Sequence, residues 1–414
     1  MRKKINVEDL VLGMHVEEMV GTWLENPFWR SSFVITEVAD LALIRASRIR
    51  EVWIDNAKGI DVANVAVTDP DLSTPYYEPT VPGTLPGLLA EADPAQLPVP
   101  IASELERAAR ICAQAKQAVS DMFREARMGK TVDVLKVGDL VQEISDSVAR
   151  NASALISLAR LKTADDYSYM HSVAVCAMMI ALARQLGFGK EDVRAAGVAG
   201  LLHDMGKALL PPAVLNKPGK LTPEEFAIVR SHPELGHRIL VSGGNASDVA
   251  LDVCLHHHEK MDGSGYPEGL SGKNISLHAR MGAICDVYDA ITSNRPYKAG
   301  WDPAESMRKM GEWSGKHFDP VLFQAFAKSL GIYPVGSLVR LKSGRLGVVT
   351  AQTAGSLTTP MVKVFFSTGS KQRIPAYELD LSSPGCTEKI TAREDPAKWQ
   401  FEDLDAMWSA PPAV

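Results

Sequence analysis

The chain has 414 residues, of which 46% are hydrophobic and 23% are charged. This balance excludes a disordered chain and predicts a globular protein of two or three domains. The net charge of −6 excludes the broad basic field that binding to a nucleic-acid polymer needs, so an anionic substrate would require a local cationic site, such as bound metal ions.

Residues 1–67 predict a small α/β module. β-like runs are expected at 33–36 and 52–55, with a helix over 38–46 between them. Eight prolines from Pro70 to Pro100 follow, and they predict an extended linker over 68–102 because proline interrupts both helices and central strands.

Residues 103–331 carry the helical periodicity of the largest predicted domain. The run 172–186 is apolar nearly all round, which is typical of a buried core helix, and a capping box at Thr222 predicts a helix that ends before Pro233. The other helices are expected over 103–128, 137–160, 192–205 and 276–293.

After Pro334 the pattern changes to short strands, expected over 337–342, 345–350, 361–366 and 372–381. They predict a small β-barrel-like module over 332–385. Residues 386–414 are expected to form a loosely ordered tail in which Trp399 and Trp408 dock on the domain. The predicted fold class is therefore multidomain and mainly α, with small flanking modules.

The cysteines and the apolar runs indicate the cellular compartment in which the protein is expected. The five scattered cysteines form no CxxC pair, which indicates a reducing environment. The charged N-terminus lacks the apolar segment of a signal peptide, and the longest apolar run, 173–183, is too short to span a bilayer. We expect a cytoplasmic protein without a membrane span.

Seven of the ten histidines lie between His171 and His258. His203 and Asp204 are adjacent in a predicted apolar helix, where a buried carboxylate is costly unless it is paired or binds a metal. Asp286 lies in a second apolar helix, where a ligand or salt-bridge role is favoured, and Asp289 follows one turn later as a supporting or structural group. Taken singly, these residues have ordinary alternatives, such as a hydrogen-bonded His–Asp pair or helix-terminal histidines at His171 and His232.

Seven motifs, in their order along the chain, resemble those of the HD-GYP family, a branch of the HD phosphohydrolases. The motifs lie between about 165 and 326, and they read YSYMHS, LLHDMGK, LNKPGKLTPEEF, SHPELG, HHEKMDGSGYP, ARMGAICDVYDAITSNRPYK and GKHFDP. The flanking modules resemble the uncharacterised accessory domains that accompany this type of domain. The resemblance implies a metal-dependent phosphodiesterase that hydrolyses cyclic di-GMP to pGpG, with a second cleavage to GMP left open.

The resemblance also implies the site residues. The implied metal ligands, with Asp204 bridging, are His171, His203, Asp204, His232, His257, His258 and Asp286. The implied catalytic residues are Asp204 and Lys207. The implied substrate-binding residues are Lys207, Asp262, Gly263, Gly265, Tyr266, Arg295 and Lys298. His256 is an extra residue beside the family's HHE triplet, and His237 is expected to be structural.

Tyr167 marks a departure from some members of the family, which carry a glutamate there that holds a third metal. Two divalent ions are therefore expected, with Fe or Mn favoured over Mg, Co, Ni or Zn. The alternatives to the phosphodiesterase are a cyclic di-GMP sensor or adaptor with little turnover and a hydrolase of another nucleotide. A homodimer or a regulatory protein partner is expected through the N-terminal module.

Overall fold

The computed structural model describes residues 2–20, 33–35, 41, 44–45, 50–60, 96, 99–161, 167–217, 219–293, 300–353 and 356–409. The chain divides into two compact units, Met1–Glu91 and Ala92–Val414. Most of the helix expected over 38–46 and most of the linker expected over 68–102 lie outside the described residues. Where the structure is described, no helix has the length and apolar character needed to cross a membrane.

The first unit contains a four-stranded antiparallel sheet in the order β1-β4-β2-β3. Its strands are β1 (Arg2–Asn6), β2 (His15–Val20), β3 (Phe33–Val34) and β4 (Glu51–Asp55). Alternate residues of β4, Val52 and Ile54, are buried with Leu10 and Met14 in a small apolar core. The β-like runs expected at 33–36 and 52–55 thus form strands. The strands β1 and β2 were not predicted from the sequence.

The second unit is mainly helical. Its longer helices are α1 (Ile101–Arg127), α2 (Gly138–Arg160), α3 (Tyr167–Gln185), α4 (Lys190–Leu202), α6 (Pro223–Arg230), α7 (His232–Gly243), α8 (Asp248–His256), α9 (Leu277–Thr292), α10 (Pro303–Trp313) and α11 (Pro320–Leu330), with the single turn α5 (Pro212–Leu215) after α4. Residues 171–183 of α3 are all buried, so the expected core helix is confirmed. The capping box at Thr222 is also confirmed, and α6 ends before Pro233.

The end of α4 differs from the prediction. The helix ends at Leu202 rather than at residue 205, and residues Met205–Leu209 form a 3₁₀ turn. His203 and Asp204 therefore lie in the turn between the two segments, not inside a helix. The 3₁₀ turn approaches α7 closely and requires glycine at position 206, because a Cβ there would lie 1.9 Å from the carbonyl oxygen of His232.

A five-stranded antiparallel sheet follows, in the order β8-β7-β6-β5-β9. Its strands are β5 (Leu338–Leu341), β6 (Arg345–Thr353), β7 (Ser356–Ser367), β8 (Gln372–Asp380) and β9 (Ile390–Arg393). The four strands expected from the sequence are present. These pairings do not show the closure of a barrel, so the barrel-like form stays a prediction.

The expectation of a loosely ordered tail after residue 385 is wrong for the described part of that segment. β9 pairs with β5, and two short helices follow, α12 (Pro396–Trp399) and α13 (Leu404–Ser409). The expected docking of the tryptophans is confirmed, since Trp408 is buried and Trp399 packs against the same apolar cluster. Backbone pairing and aromatic burial together compensate the entropy cost of ordering the segment.

Candidate metal centre

Five elements of the second unit bring the sequence-predicted ligands together. They come from α3 (His171), the turn after α4 (His203 and Asp204), the start of α7 (His232), the residues that follow α8 (His257 and His258) and α9 (Asp286). All are buried except His258, whose side chain is 21% exposed. The seven residues thus form one buried cluster with a single partly open member.

Three overlapping sets of potential ligand atoms lie in this cluster. Two of them share no residue, and the third, which is His203, Asp204 and His257, links these two. The first group is His171, His203 and Asp286, and the second group is His232, His257 and His258. Within each group the ligand atoms lie within 4.8 Å of one another, close enough to share one ion. The cluster could therefore hold two metal ions.

Asp204 lies between the two groups and turns one carboxylate oxygen to each. Its Oδ2 is 3.3 Å from His171 Nε2 and 3.4 Å from His203 Nε2. Its Oδ1 is 3.2 Å from His232 Nε2 and 3.7 Å from His257 Nε2. This is the arrangement required of a carboxylate that bridges two ions.

Four of the imidazoles are held in one orientation by their Nδ1 atoms. His171 Nδ1 lies 2.6 Å from Asp289 Oδ2, which confirms Asp289 as a supporting group. The other three Nδ1 atoms donate to backbone carbonyl oxygens: His203 to Gly200 at 2.8 Å, His232 to Val229 at 2.7 Å and His257 to Val253 at 3.0 Å. Because Nδ1 is the donor, the neutral ring presents the lone pair of Nε2 to the centre of the cluster, as a metal ligand must.

Two buried polar atoms at the middle of the cluster support the fit to divalent ions. Among the described residues, His203 Nε2 and Asp204 Oδ1 have no hydrogen-bond partner. Leaving such atoms unsatisfied away from water costs free energy, and a cation would satisfy both. Imidazole and carboxylate together suit divalent ions such as Mn, Fe or Zn.

The electrostatics of the two groups differ. Burial opposes the charge on His171, but the carboxylates of Asp204, Asp286 and Asp289 raise its pKa to about 10. In the second group, burial lowers the pKa of His258 to about 3 and that of His257 well below its usual value. The first group thus attracts a positive charge, whereas His257 and His258 of the second group are held as neutral imidazoles.

Lys207 lies at the edge of the cluster. Its Nζ forms an ion pair with Asp204 Oδ2, and its side chain is 18% exposed. Although burial opposes ionisation of Asp204, Lys207 and His203 hold the pKa of that carboxyl well below its usual range. A cation therefore lies beside Asp204 at the partly exposed edge of the cluster.

The DGSGYP loop, residues 262–267, borders the open side of the cluster through His258. The rings of Tyr266 and His258 are stacked with their centroids 4.7 Å apart. A Cβ on Gly265 would lie 2.5 Å from the Cα of Glu259, so this approach of the loop requires glycine. Gly263 has a φ of +77°, which also suits glycine.

Of the predicted substrate residues, Asp262 does not join the cluster, and two others are not among the described residues. The Asp262 carboxylate is exposed and accepts hydrogen bonds from the backbone and hydroxyl of Ser264, so it shapes the turn of its own loop. Arg295 and Lys298 lie outside the described residues. Their roles stay predictions.

Comparison with known proteins places this centre in a family. Residues 143–322 match the model of an HD domain, and residues 2–137 match a domain of unknown function, DUF3391. The chain is 53% identical over 410 residues to a cyclic di-GMP phosphodiesterase of Pseudomonas aeruginosa, an alignment that covers 99% of this chain and 96% of that relative. The chain belongs to the HD-GYP family.

Two further relatives each match about a third of this HD-GYP chain. A cyclic di-GMP phosphodiesterase response regulator of Xanthomonas campestris is 44% identical over 140 residues, covering 34% of this chain and 37% of the relative. A 3′3′-cGAMP-specific phosphodiesterase of Vibrio cholerae is 39% identical over 144 residues, covering 34% of this chain and 28% of the relative. The HD match includes every predicted ligand, and the DUF3391 match confirms the resemblance of the N-terminal module to an accessory domain.

Sequence reasoning assigned no role to Glu259, the last residue of the family's HHE triplet. The side chain is buried, and its Oε1 accepts hydrogen bonds from the backbone of Glu268 at 2.8 Å and of Gly269 at 3.0 Å. Glu259 therefore tethers the segment that follows the DGSGYP loop. The adjacent His256 pairs with Asp252 at 2.8 Å, outside the two ligand groups, as expected of the extra histidine.

Proposed function

We propose that this HD-GYP chain is a metal-dependent phosphodiesterase that hydrolyses cyclic di-GMP. The observation that carries the proposal is Asp204, which turns its two oxygens to two groups of imidazoles at distances of 3.2–3.7 Å. The P. aeruginosa relative named for this activity aligns over nearly the whole chain and supports the choice of substrate.

The proposed ligand set has two positions. The first is formed by His171, His203 and Asp286, and the second by His232, His257 and His258, with Asp204 common to both. The unsatisfied atoms of His203 and Asp204 support it, as do the anchored Nδ1 atoms. We keep Fe or Mn as the favoured ions.

We propose two ions rather than three because Tyr167 occupies the position of the additional glutamate. The residue begins α3, four positions before His171. A phenol is a poorer ligand for a divalent ion than a carboxylate.

Divalent ions held there would supply a nucleophile at neutral pH and neutralise charge on a phosphodiester. Lys207 is placed beside the shared carboxylate, where its ammonium can donate to a phosphate oxygen and stabilise the charge that develops during cleavage. The reaction adds water across one P–O bond of the ring and yields linear pGpG, and a second addition would yield GMP. Arg295 and Lys298 remain candidates for the second phosphate.

The name of the V. cholerae relative suggests 3′3′-cGAMP as a second candidate substrate. That relative covers about a third of this chain, whereas the P. aeruginosa relative covers 99% of it, so cyclic di-GMP is preferred. A cytoplasmic location and a regulatory or dimer-forming role of the N-terminal module belong to the same proposal.

Product chromatography tests the substrate. The full chain, purified without oxygen and supplied with Mn or Fe, is incubated with cyclic di-GMP and, in parallel, with 3′3′-cGAMP. We expect pGpG from the first and markedly slower turnover of the second. Binding without turnover would support a sensor, and faster hydrolysis of 3′3′-cGAMP would reassign the substrate.

The double variant His203→Ala with Asp204→Ala is the negative control. It should lose hydrolysis while far-ultraviolet circular dichroism shows that the helices persist. Unchanged turnover in the metal-supplied double variant would show that this cluster is not the catalytic site. His237→Ala, which alters a histidine outside both ligand groups, should keep full activity.

A further inference from the structure

The ring of Tyr266 contacts a second group besides His258. The guanidinium carbon of Arg230 lies 4.7 Å from the centroid of the Tyr266 ring. Arg230 is the last residue of α6, two positions before His232. An exposed arginine thus touches the aromatic residue that stacks on a candidate metal ligand.

The contact of Arg230 with Tyr266 is separate from the backbone contacts that hold the DGSGYP loop. Those contacts are the Tyr266 N–H, which donates to the His258 carbonyl at 3.3 Å, and the tether from Glu259. Neither fixes the plane of the Tyr266 ring. A planar guanidinium stacks on an aromatic ring, which the compact ammonium of a lysine cannot do equally well.

Within the described part of the chain, the Tyr266 hydroxyl makes no hydrogen bond and the Arg230 guanidinium makes no ion pair. The ring of Tyr266 is therefore held by its contacts with Arg230 and His258, while its hydroxyl remains available to a substrate. Among the described residues, Arg230 has no charged partner that would give it a different structural task.

We propose that Arg230 is a positioning residue, which holds Tyr266 against His258 and so sets the DGSGYP loop at the open side of the metal centre before substrate binds. Its kinetic consequence rests on the proposed function. The competing explanation is that Arg230 binds a substrate phosphate directly, without acting through Tyr266.

A double-mutant cycle separates the two explanations, because residues that act through each other are not additive. We expect Arg230→Ala to raise the KM for cyclic di-GMP by about threefold to thirtyfold, the range of a cation–π contact, with kcat and metal content nearly unchanged. Arg230→Lys should recover part of this loss. In a Tyr266→Ala background, Arg230→Ala should have no further effect, whereas in a Tyr266→Phe background, which keeps the ring, its effect should persist.

An equal rise in KM in the wild-type and Tyr266→Ala backgrounds would overturn the proposal in favour of direct phosphate binding. So would an unchanged KM in Arg230→Ala. Arg238→Ala removes an exposed arginine of α7 and should leave KM unchanged.

Hydrogen–deuterium exchange of the substrate-free, metal-loaded protein gives a readout that needs no turnover. Arg230→Ala should increase exchange in residues 260–270 and leave α3 and α9 as in the wild type. Unchanged exchange in that segment would contradict the positioning role. A wild-type protein without turnover would contradict the proposed function alone, and the exchange comparison would still decide the role of Arg230.

Discussion

The two halves of the proposed metal centre share one carboxylate but differ in chemistry. In the first group, His171 lies 3.0 Å from Asp286 and 2.6 Å from Asp289, so carboxylates surround the imidazole. In the second group, the imidazoles of His232 and His257 approach each other to 3.3 Å between their Nε2 atoms. One buried cluster thus offers a carboxylate-rich position and an imidazole-rich position, and we expect their ions to differ in affinity and in the protons they displace.

The largest effects should come from removing one ligand of either half. We expect His171→Ala to lose the ion of the first position and His257→Ala the ion of the second, each lowering kcat/KM by more than roughly 100-fold because both ions take part in the proposed chemistry. Metal analysis together with turnover measures this. His256→Ala changes the neighbouring histidine that pairs with Asp252, so an equal loss of metal there would break the division into two groups.

A smaller, one-sided effect is expected from Asp289→Asn. The amide cannot accept the Nδ1–H bond as strongly as the carboxylate, so His171 loses orientation and basicity, and metal affinity at the first position should fall by about 10–100-fold. The second position should keep its ion. Asp252→Asn is the matched control, since it weakens a similar His–Asp pair with His256, and metal titration of both variants should show a change only in the first.

The smallest effect is a difference in proton release. Without metal, His171 has a pKa of about 10 and holds a proton at pH 7, whereas His258 has a pKa of about 3 and does not. An ion at the first position must displace that proton, so its affinity should decrease as the pH is lowered. Calorimetry of the wild type in two buffers of different ionisation enthalpy should show about one proton more released at the first position than at the second. Equal release would remove the distinction between the halves.

The sequence predicted the members of the centre better than its geometry. The motif order supplied all seven candidate ligands, and the structure brings these seven together. The turn at His203 was missed because periodicity continues through LLHDMG, whereas the close contact of Gly206 with α7 is visible only in the structure. A contact between segments that are distant in the sequence leaves no periodic signal in either segment.

The C-terminal segment shows the same limit. β9 is short and only partly apolar, so its sequence alone does not predict a strand, and it is ordered by pairing with β5. Trp408 could be predicted to dock because a large aromatic side chain gains from burial wherever it finds a pocket. The contact of Arg230 with Tyr266 likewise joins residues whose neighbours in sequence give no indication of it.

The most direct test of the two-position centre is the number of metal ions per chain, measured by elemental analysis of anaerobically purified wild type and Asp204→Ala. The shared carboxylate predicts two ions in the wild type and the loss of both, or a strong reduction of both, in the variant. One ion or three in the wild type, or two ions retained by Asp204→Ala, would contradict a dinuclear centre bridged by Asp204.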